Sequence, residues 1–78
     1  NRVEYQPINL SSLQKLAEAN ITTIGIEEMI AAGLAKKGQL VKVLSNGELT
    51  AKIDVTANAF SKSAEAAIQA VGGTATKL

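Results

Sequence analysis

The sequence predicts an α/β fold: one small mixed sheet with about three short helices, in the order β-α-α-β-β-α-β. Two observations support this. Apolar residues alternate in several extended segments, and between those segments apolar residues recur at helical spacing beside start and stop signals. A length of 78 residues leaves room for one core. We therefore expect a single domain over residues 1–78.

The first predicted strand lies in the segment RVEYQPINL. Apolar side chains alternate there as Val3 and Tyr5 and, beyond a proline, as Ile8 and Leu10. Because Pro7 has no N–H to donate to a neighbouring strand, we expect this strand either to lie at an edge of the sheet or to contain a break.

Two short helices are predicted next. In SSLQKLAEAN, Ser11 and Gln14 have the spacing of a capping box, and the helix is expected to stop near Asn20. The second helix is expected to begin at about Gly25 and to end at Gly33, in the left-handed conformation that terminates many helices. The apolar faces of the two helices consist of Leu13, Leu16 and Ala17, and of Ile26, Met29 and Ile30.

The segment LVKVLSNGELTAKIDVTA predicts a β-hairpin, because its second arm alternates apolar and polar residues from Glu48 to Val55. A two-residue turn would mix the two faces. A three-residue loop over 45–47, with Gly47 in the left-handed position, sets Val43 opposite Leu49 and Val41 opposite Ala51. This register keeps the apolar and polar residues on separate faces. In that register, one outer face is shared by Lys42, Thr50 and Lys52.

The last helix is predicted within ANAFSKSAEAAIQAVGG, with Ser61 as N-cap and Gly72 as terminator. Alanines on its inner face would let the helix lie close to the two-stranded hairpin, and TATKL would form the closing strand. The buried face of this helix is predicted to consist of Ala64, Ala67, Ile68 and Val71.

The composition excludes several classes of function. The sequence has no cysteine and no histidine, which removes disulfides, thiolate metal sites and the usual general base. No apolar run approaches the length of a membrane span, so we expect a soluble cytoplasmic protein without a membrane partner. The net charge of +1 does not by itself indicate a nucleic-acid partner.

The segment from Lys42 to Gly73 resembles the hallmark segment of bacterial large-subunit ribosomal protein fifteen. That family has a lysine and two aliphatic residues, a turn glycine, alternating aliphatics and then a serine-capped helix ending in glycine. A related family, large-subunit protein eighteen of archaea and eukaryotes, shares the fold. The matching residues are Lys42, Val43, Leu44, Ser45, Gly47, Leu49, Ile53, Val55, Phe60, Ser61, Ala64, Ile68 and Gly72.

The resemblance covers the C-terminal half of the family's protein, and the family's basic, glycine-rich N-terminal arm has no counterpart here. It implies a structural constituent of the large ribosomal subunit that binds 23S rRNA, lies beside other ribosomal proteins and supports assembly and translation. It implies no enzyme activity, cofactor, metal or small-molecule substrate. The residues expected to contact RNA are Arg2, Lys36, Lys37, Lys42, Lys52, Ser61, Lys62 and Ser63.

Two other hypotheses remain open on the residues alone. The near-neutral charge and the edge strand around Pro7 are compatible with a protein–protein interaction module that touches RNA little. A nucleophile within Ser61–Lys62–Ser63 is conceivable, but adjacent residues at a helix start point away from one another instead of converging.

Overall fold

The computed structural model describes residues 5–78, so Arg2 and Val3, named above, lie outside the described residues. Within that range the chain forms six strands and three helices. The strands are β1 (Tyr5–Asn9), β2 (Thr23–Ile24), β3 (Leu40–Leu44), β4 (Asp54–Ala57), β5 (Ala59–Phe60) and β6 (Thr74–Lys77), and the helices are α1 (Leu10–Glu18), α2 (Ile26–Ala31) and α3 (Lys62–Ala70).

The strands divide into two sheets in an interleaved pattern. The odd-numbered strands form the first sheet, in the order β1-β3-β5, and the even-numbered strands form the second, in the order β2-β4-β6. Every pairing is parallel. The α/β class and the three helices are thus confirmed, while the predicted single mixed sheet is replaced by two parallel sheets. The short strands β2 and β5 were not predicted.

One apolar core lies between the sheets and the helices. Residues on the inward faces of both sheets, such as Val43 and Val55, are buried together with Leu13 of α1 and Met29 of α2. The buried residues are Ile8, Leu10, Leu13, Ile24, Met29, Ala35, Val41, Val43, Ile53, Val55, Ala57, Ala64 and Ile68.

The helix α3 links the two sheets. It contacts β3 of the first sheet and β6 of the second. Ala64 and Ile68 are fully buried and Ala67 packs against the core, as predicted. Small side chains on this face allow a close approach to the strands without leaving voids. The helix ends as predicted, with Gly72 at φ +82° and the N–H of Gly73 donating to the carbonyl of Ile68 at 3.0 Å.

The predicted hairpin is wrong. The strand β3 already has parallel partners on both sides: Val43 lies beside Ile8 of β1 and beside Phe60 of β5. No edge of β3 is left to pair with residues 48–53, so the predicted pairs of Val43 with Leu49 and of Val41 with Ala51 do not form. The two-stranded ribbon expected beneath α3 is consequently absent.

Residues 45–53 instead form a loop that lies against α1. The side-chain Oε1 of Gln14 accepts hydrogen bonds from the N–H groups of Thr50 at 3.0 Å and Ala51 at 3.1 Å. A Cβ on Gly47, which has φ +85°, would lie 2.5 Å from the Cβ of Ser11, so only glycine fits there. The loop keeps the predicted alternation, with Glu48, Thr50 and Lys52 exposed and Leu49, Ala51 and Ile53 facing inward.

The predicted capping box of α1 is also wrong. The helix begins at Leu10 with Asn9 in the N-cap position, and Asn9 makes no side-chain cap bond. Gln14 holds the loop and not the N-terminus of its own helix. The C-terminus fits the prediction, because Asn20 is left-handed at φ +69° and the N–H of Ile21 bonds the carbonyl of Leu16.

Candidate nucleic-acid interface

The start of α3 lies at the carboxyl end of the first sheet. The N–H of Ser61 donates to the carbonyl of Val43 at 2.9 Å, and the Ser61 hydroxyl accepts a hydrogen bond from the N–H of Ala64 at 3.1 Å. Ser61 is therefore a helix N-cap, as predicted, and a cap of this kind contributes about 1 kcal/mol. The next two residues, Lys62 and Ser63, are exposed.

Lys42 lies in the middle of the first sheet, on the face turned away from the core. Val41 and Val43, its neighbours in β3, point inward and are fully buried. In the parallel register Lys42 is beside Pro7 of β1 and Ala59 of β5. We refer to this side as the outer face; it consists of Tyr5, Pro7, Asn9, Leu40, Lys42, Leu44 and Ala59.

Lys36 and Lys37 occupy a turn just before β3. The N–H of Lys36 donates to the side-chain Oε1 of Gln39 at 2.8 Å, and the N–H of Gln39 donates back to the carbonyl of Lys36 at 3.1 Å. Gly38 closes the turn at φ +89°. This pair of bonds fixes two exposed lysines at the amino end of the first sheet.

Lys52 lies elsewhere. A Cβ placed on Gly72 would be 3.9 Å from the Cδ of Lys52, so this lysine lies beside the C-terminal end of α3. A helix of nine residues is about 13 Å long, which separates Lys52 from Lys62 at the other end. A cation suits the negative end of the helix dipole. The prediction that Lys42 and Lys52 share one outer face is wrong, because it depended on the hairpin.

Four of the predicted lysines lie in the first sheet or on the segments that flank its strands. They lie before β3, within it and after β5. The strands of this sheet carry no carboxylate, but Glu65 lies three residues after Lys62 on α3, and Glu48 lies four residues after the end of β3. The four lysines are Lys36, Lys37, Lys42 and Lys62.

Two residues of the outer face were missed. Tyr5 is 45% exposed and Leu40 is 36% exposed, and they are direct neighbours across β1 and β3. Tyr5 was expected on the apolar side of an alternating strand, but β1 continues through Pro7 without a break and turns Ile8 inward. The sequence could have indicated this face. Tyr5, Pro7 and Asn9 are two residues apart, so they share one face of the strand, and the apolar Ile8 lies on the opposite face.

Pockets, metal clusters and membrane-spanning helices are absent from residues 5–78. This part of the chain encloses no pocket. Its acidic side chains do not gather into a group of three or more that could hold a metal ion. Among these residues, no helix has the length and apolarity needed to cross a membrane.

The fold defines a small α/β protein with two parallel sheets and exposed lysines on the segments that flank the first. Comparison with known protein families identifies the family within this class to which the chain belongs. Residues 7–76 match the family described as ribosomal proteins 50S-L15 and 50S-L18e together with their 60S counterpart, and the chain belongs to that family. The predicted resemblance is confirmed.

Similar proteins carry the name large ribosomal subunit protein uL15. The chain is 65% identical to the one from Phocaeicola vulgatus and 61% identical to the one from Parabacteroides distasonis, in each case over 100% of this chain and 53% of the relative. A relative from Corynebacterium aurimucosum is 51% identical over 97% of this chain and 50% of its own length. The chain therefore spans about half the length of these relatives.

Proposed function

We propose that this chain is a structural constituent of the large ribosomal subunit that binds 23S rRNA in the cytoplasm and supports assembly of the subunit. Family membership over residues 7–76 supports the ribosomal assignment. The observation that carries RNA binding is the group of four lysines in and beside the first sheet, whose strands bear no carboxylate.

The proposed mechanism is neutralisation of phosphates by positioned cations. In this mechanism Lys36 and Lys37 before β3, Lys42 within it and Lys62 after β5 would each neutralise a phosphate of the RNA backbone. Each phosphate contact releases counterions, so the affinity falls as salt rises. Recognition depends on backbone and shape, because side chains cannot read the deep, narrow major groove of A-form RNA.

The start of α3 adds hydrogen-bond donors to this surface. Ser63 and Lys62 are exposed there, and the hydroxyl hydrogen of Ser61 remains free to donate while its oxygen caps the helix. Lys52 and Arg2 stay predicted contacts, with Lys52 on a separate part of the surface. Neighbouring ribosomal proteins would meet the remaining surface, and no catalytic step is involved.

The alternative is a protein–protein interaction module with little RNA contact. The exposure of Tyr5 and Leu40 favours it, since aromatic residues are enriched at protein interfaces. The two functions differ in their response to salt. Direct RNA binding weakens steeply with salt, whereas association through an apolar face does not.

A salt titration on 23S rRNA from Phocaeicola vulgatus tests the proposal. We expect binding at low salt, and we expect the Lys42→Gln, Lys62→Gln double variant to reduce the slope of log K against log salt by about 1.5. The matched control is Lys15→Gln with Lys77→Gln, which removes two exposed lysines from other elements and leaves the same net charge. Lys52→Gln alone measures whether a second contact exists.

Two results would contradict the proposal. One is the absence of binding by the wild-type chain at low salt. The other is an equal change of slope in both double variants, which would show that the RNA responds to net charge and not to the first sheet.

A further inference from the structure

The outer face of the first sheet is unusual for a parallel sheet. Such sheets occur almost only where both faces are covered. Here the inner face packs on the core, while the outer face leaves Tyr5 45% and Leu40 36% exposed side by side. Leu44 and Ala59 on the same face do not belong to the apolar residues that pack against the core. Tyr5 and Leu40 therefore form an exposed apolar pair, and we refer to the outer face around them as the platform.

The charge on this platform has one sign. Lys42 lies at its centre, and Lys36 and Lys37 lie at the end where Tyr5 and Leu40 are found. The seven residues that form the outer face include no carboxylate. The partner that complements this face has flat apolar surfaces and negative charge together, which is the chemistry of nucleotides with exposed bases.

We propose that the outer face binds unpaired nucleotides of RNA, with a base stacked on Tyr5 and packed against Leu40 while Lys42 neutralises an adjacent phosphate. This inference rests on the proposed function, and it adds the kind of RNA and the residues that meet the bases. Neighbouring strands are about 4.8 Å apart and residues rise about 3.3 Å along a strand, which places the Cα of Lys42 about 8 Å from that of Tyr5.

The edge strand argues against a peptide as the partner. A peptide that adds to a sheet relies on main-chain hydrogen bonds along the edge. Pro7 lies in the middle of β1 and has no N–H to offer. Stacking of a base uses the face of the sheet and not its edge, so Pro7 does not interfere.

Substitution of Tyr5 tests the inference. We expect Tyr5→Ala to lower the affinity for 23S rRNA from Phocaeicola vulgatus about tenfold and Tyr5→Phe, which keeps the ring, to stay within about twofold of wild type. The matched control is Ile21→Ala, since Ile21 is also apolar and 38% exposed but lies outside the first sheet. Far-UV circular dichroism confirms that each variant is folded.

A second measurement reports the stack directly. Tyr5 is the single tyrosine of a chain without tryptophan, so its fluorescence and its ring resonances report this residue alone. A single-stranded oligoribonucleotide of eight adenosines is expected to quench the fluorescence and to shift the ring protons. A duplex RNA of equal length is expected to leave both unchanged.

The outcomes separate the inference from the function on which it rests. If wild type binds rRNA with the expected salt dependence and Tyr5→Ala binds equally well, the stacking proposal is overturned while rRNA binding stands. If Tyr5→Ala reduces incorporation into large subunits without changing rRNA affinity, the face docks a protein and the inference is overturned. If wild type does not bind rRNA at all, both fall.

Discussion

The two sheets of this molecule share one architecture and differ in their outer faces. Each has three parallel strands and turns one face to the common core. The second sheet turns hydroxyls outward, with Asp54 as its only charge on that side. The first sheet exposes Tyr5 and Leu40 around Lys42. The outward residues of the second sheet are Thr23, Asp54, Thr56, Thr74 and Thr76.

The difference between the two outer faces shows which residues a stable sheet needs and which residues it does not need. Threonine is β-branched and suits a strand, and its hydroxyl is well solvated, so the second sheet is stable with water on one side. Tyrosine and leucine at exposed positions add nothing to solubility. Their presence on only one of two equivalent faces is the contrast on which the proposed RNA contact rests.

The largest expected effect on stability comes from shortening a buried side chain that lies between the two sheets. Ile68 of α3 is fully buried between them. We expect Ile68→Ala to lower the free energy of unfolding by about 4 kcal/mol, because it removes buried methyl groups and leaves a cavity. Urea denaturation measures this, with the exposed neighbour variant Gln69→Ala as control. A loss for Ile68→Ala no larger than that of the control would show that α3 does not hold the sheets together.

A substitution with a smaller expected effect on stability should disrupt the second sheet alone. A Cβ on Gly73 would overlap the carbonyl oxygen of Ile53, the atom that accepts the N–H of Thr74 at 3.0 Å. We expect Gly73→Ala to cost about 2 kcal/mol and to detach β6 from β4. Gly38→Ala is the control, since Gly38 has a positive φ but nothing within 4 Å of the added atom, and should cost about 1 kcal/mol.

Amide hydrogen exchange of the Gly73→Ala variant shows which strands lose their hydrogen bonds. The N–H of Leu78, which bonds the carbonyl of Ala57, should lose protection first, together with the N–H groups of β4 and β6. Equal loss in β1 and β3 would contradict the prediction and show that the sheets open as one unit.

The smallest effect on stability, and the sharpest comparison, comes from exchanging the two outer faces. Leu40→Thr gives the first sheet a residue of the second, and Thr76→Leu does the reverse. Both should change the free energy of unfolding by less than about 0.5 kcal/mol, since both residues are exposed. Only Leu40→Thr should lower rRNA affinity, by about fivefold. Equal affinities in filter binding would show that the two faces do not differ in function.

Local features could be predicted from the sequence because their causes are local. The cap at Ser61 and the left-handed terminators Asn20, Gly33 and Gly72 depend on residues within one turn, and all four are present. The buried face of α3 follows from spacing alone. These features required no knowledge of what lies across from them.

Partner choice could not be predicted, because it depends on distant residues. The alternation from Glu48 to Val55 correctly indicates an extended segment with one buried side. It does not reveal that β1 and β5 occupy both edges of β3, or that Gln14 satisfies the N–H groups of Thr50 and Ala51. A nearby turn signal then favoured a hairpin over parallel pairing between segments far apart in the chain.

The candidate site also contains features that depend on nearby residues and features that depend on distant ones. Exposed lysines in loops, such as Lys36 and Lys37, can be recognised from their surroundings in the sequence. Whether Lys42 groups with them or with Lys52 depends on where the chain runs after β3, and the predicted hairpin gave the wrong grouping. Tyr5 was missed because its face is decided by the register of β1 on β3.

The interleaving of odd and even strands also constrains how the molecule can be made. A ribosome synthesises a chain from its amino end, yet the first sheet needs residues 59–60 and the second needs residues 74–77 before either is complete. The strand β1 can meet β3 once residue 44 has emerged, but β5 and β6 join later, and pairing of parallel strands across long loops is intrinsically slow. During synthesis of the polypeptide, the aliphatic residues of β1 and β2 therefore remain unpaired while the segments that lead to β3 and β4 are being made.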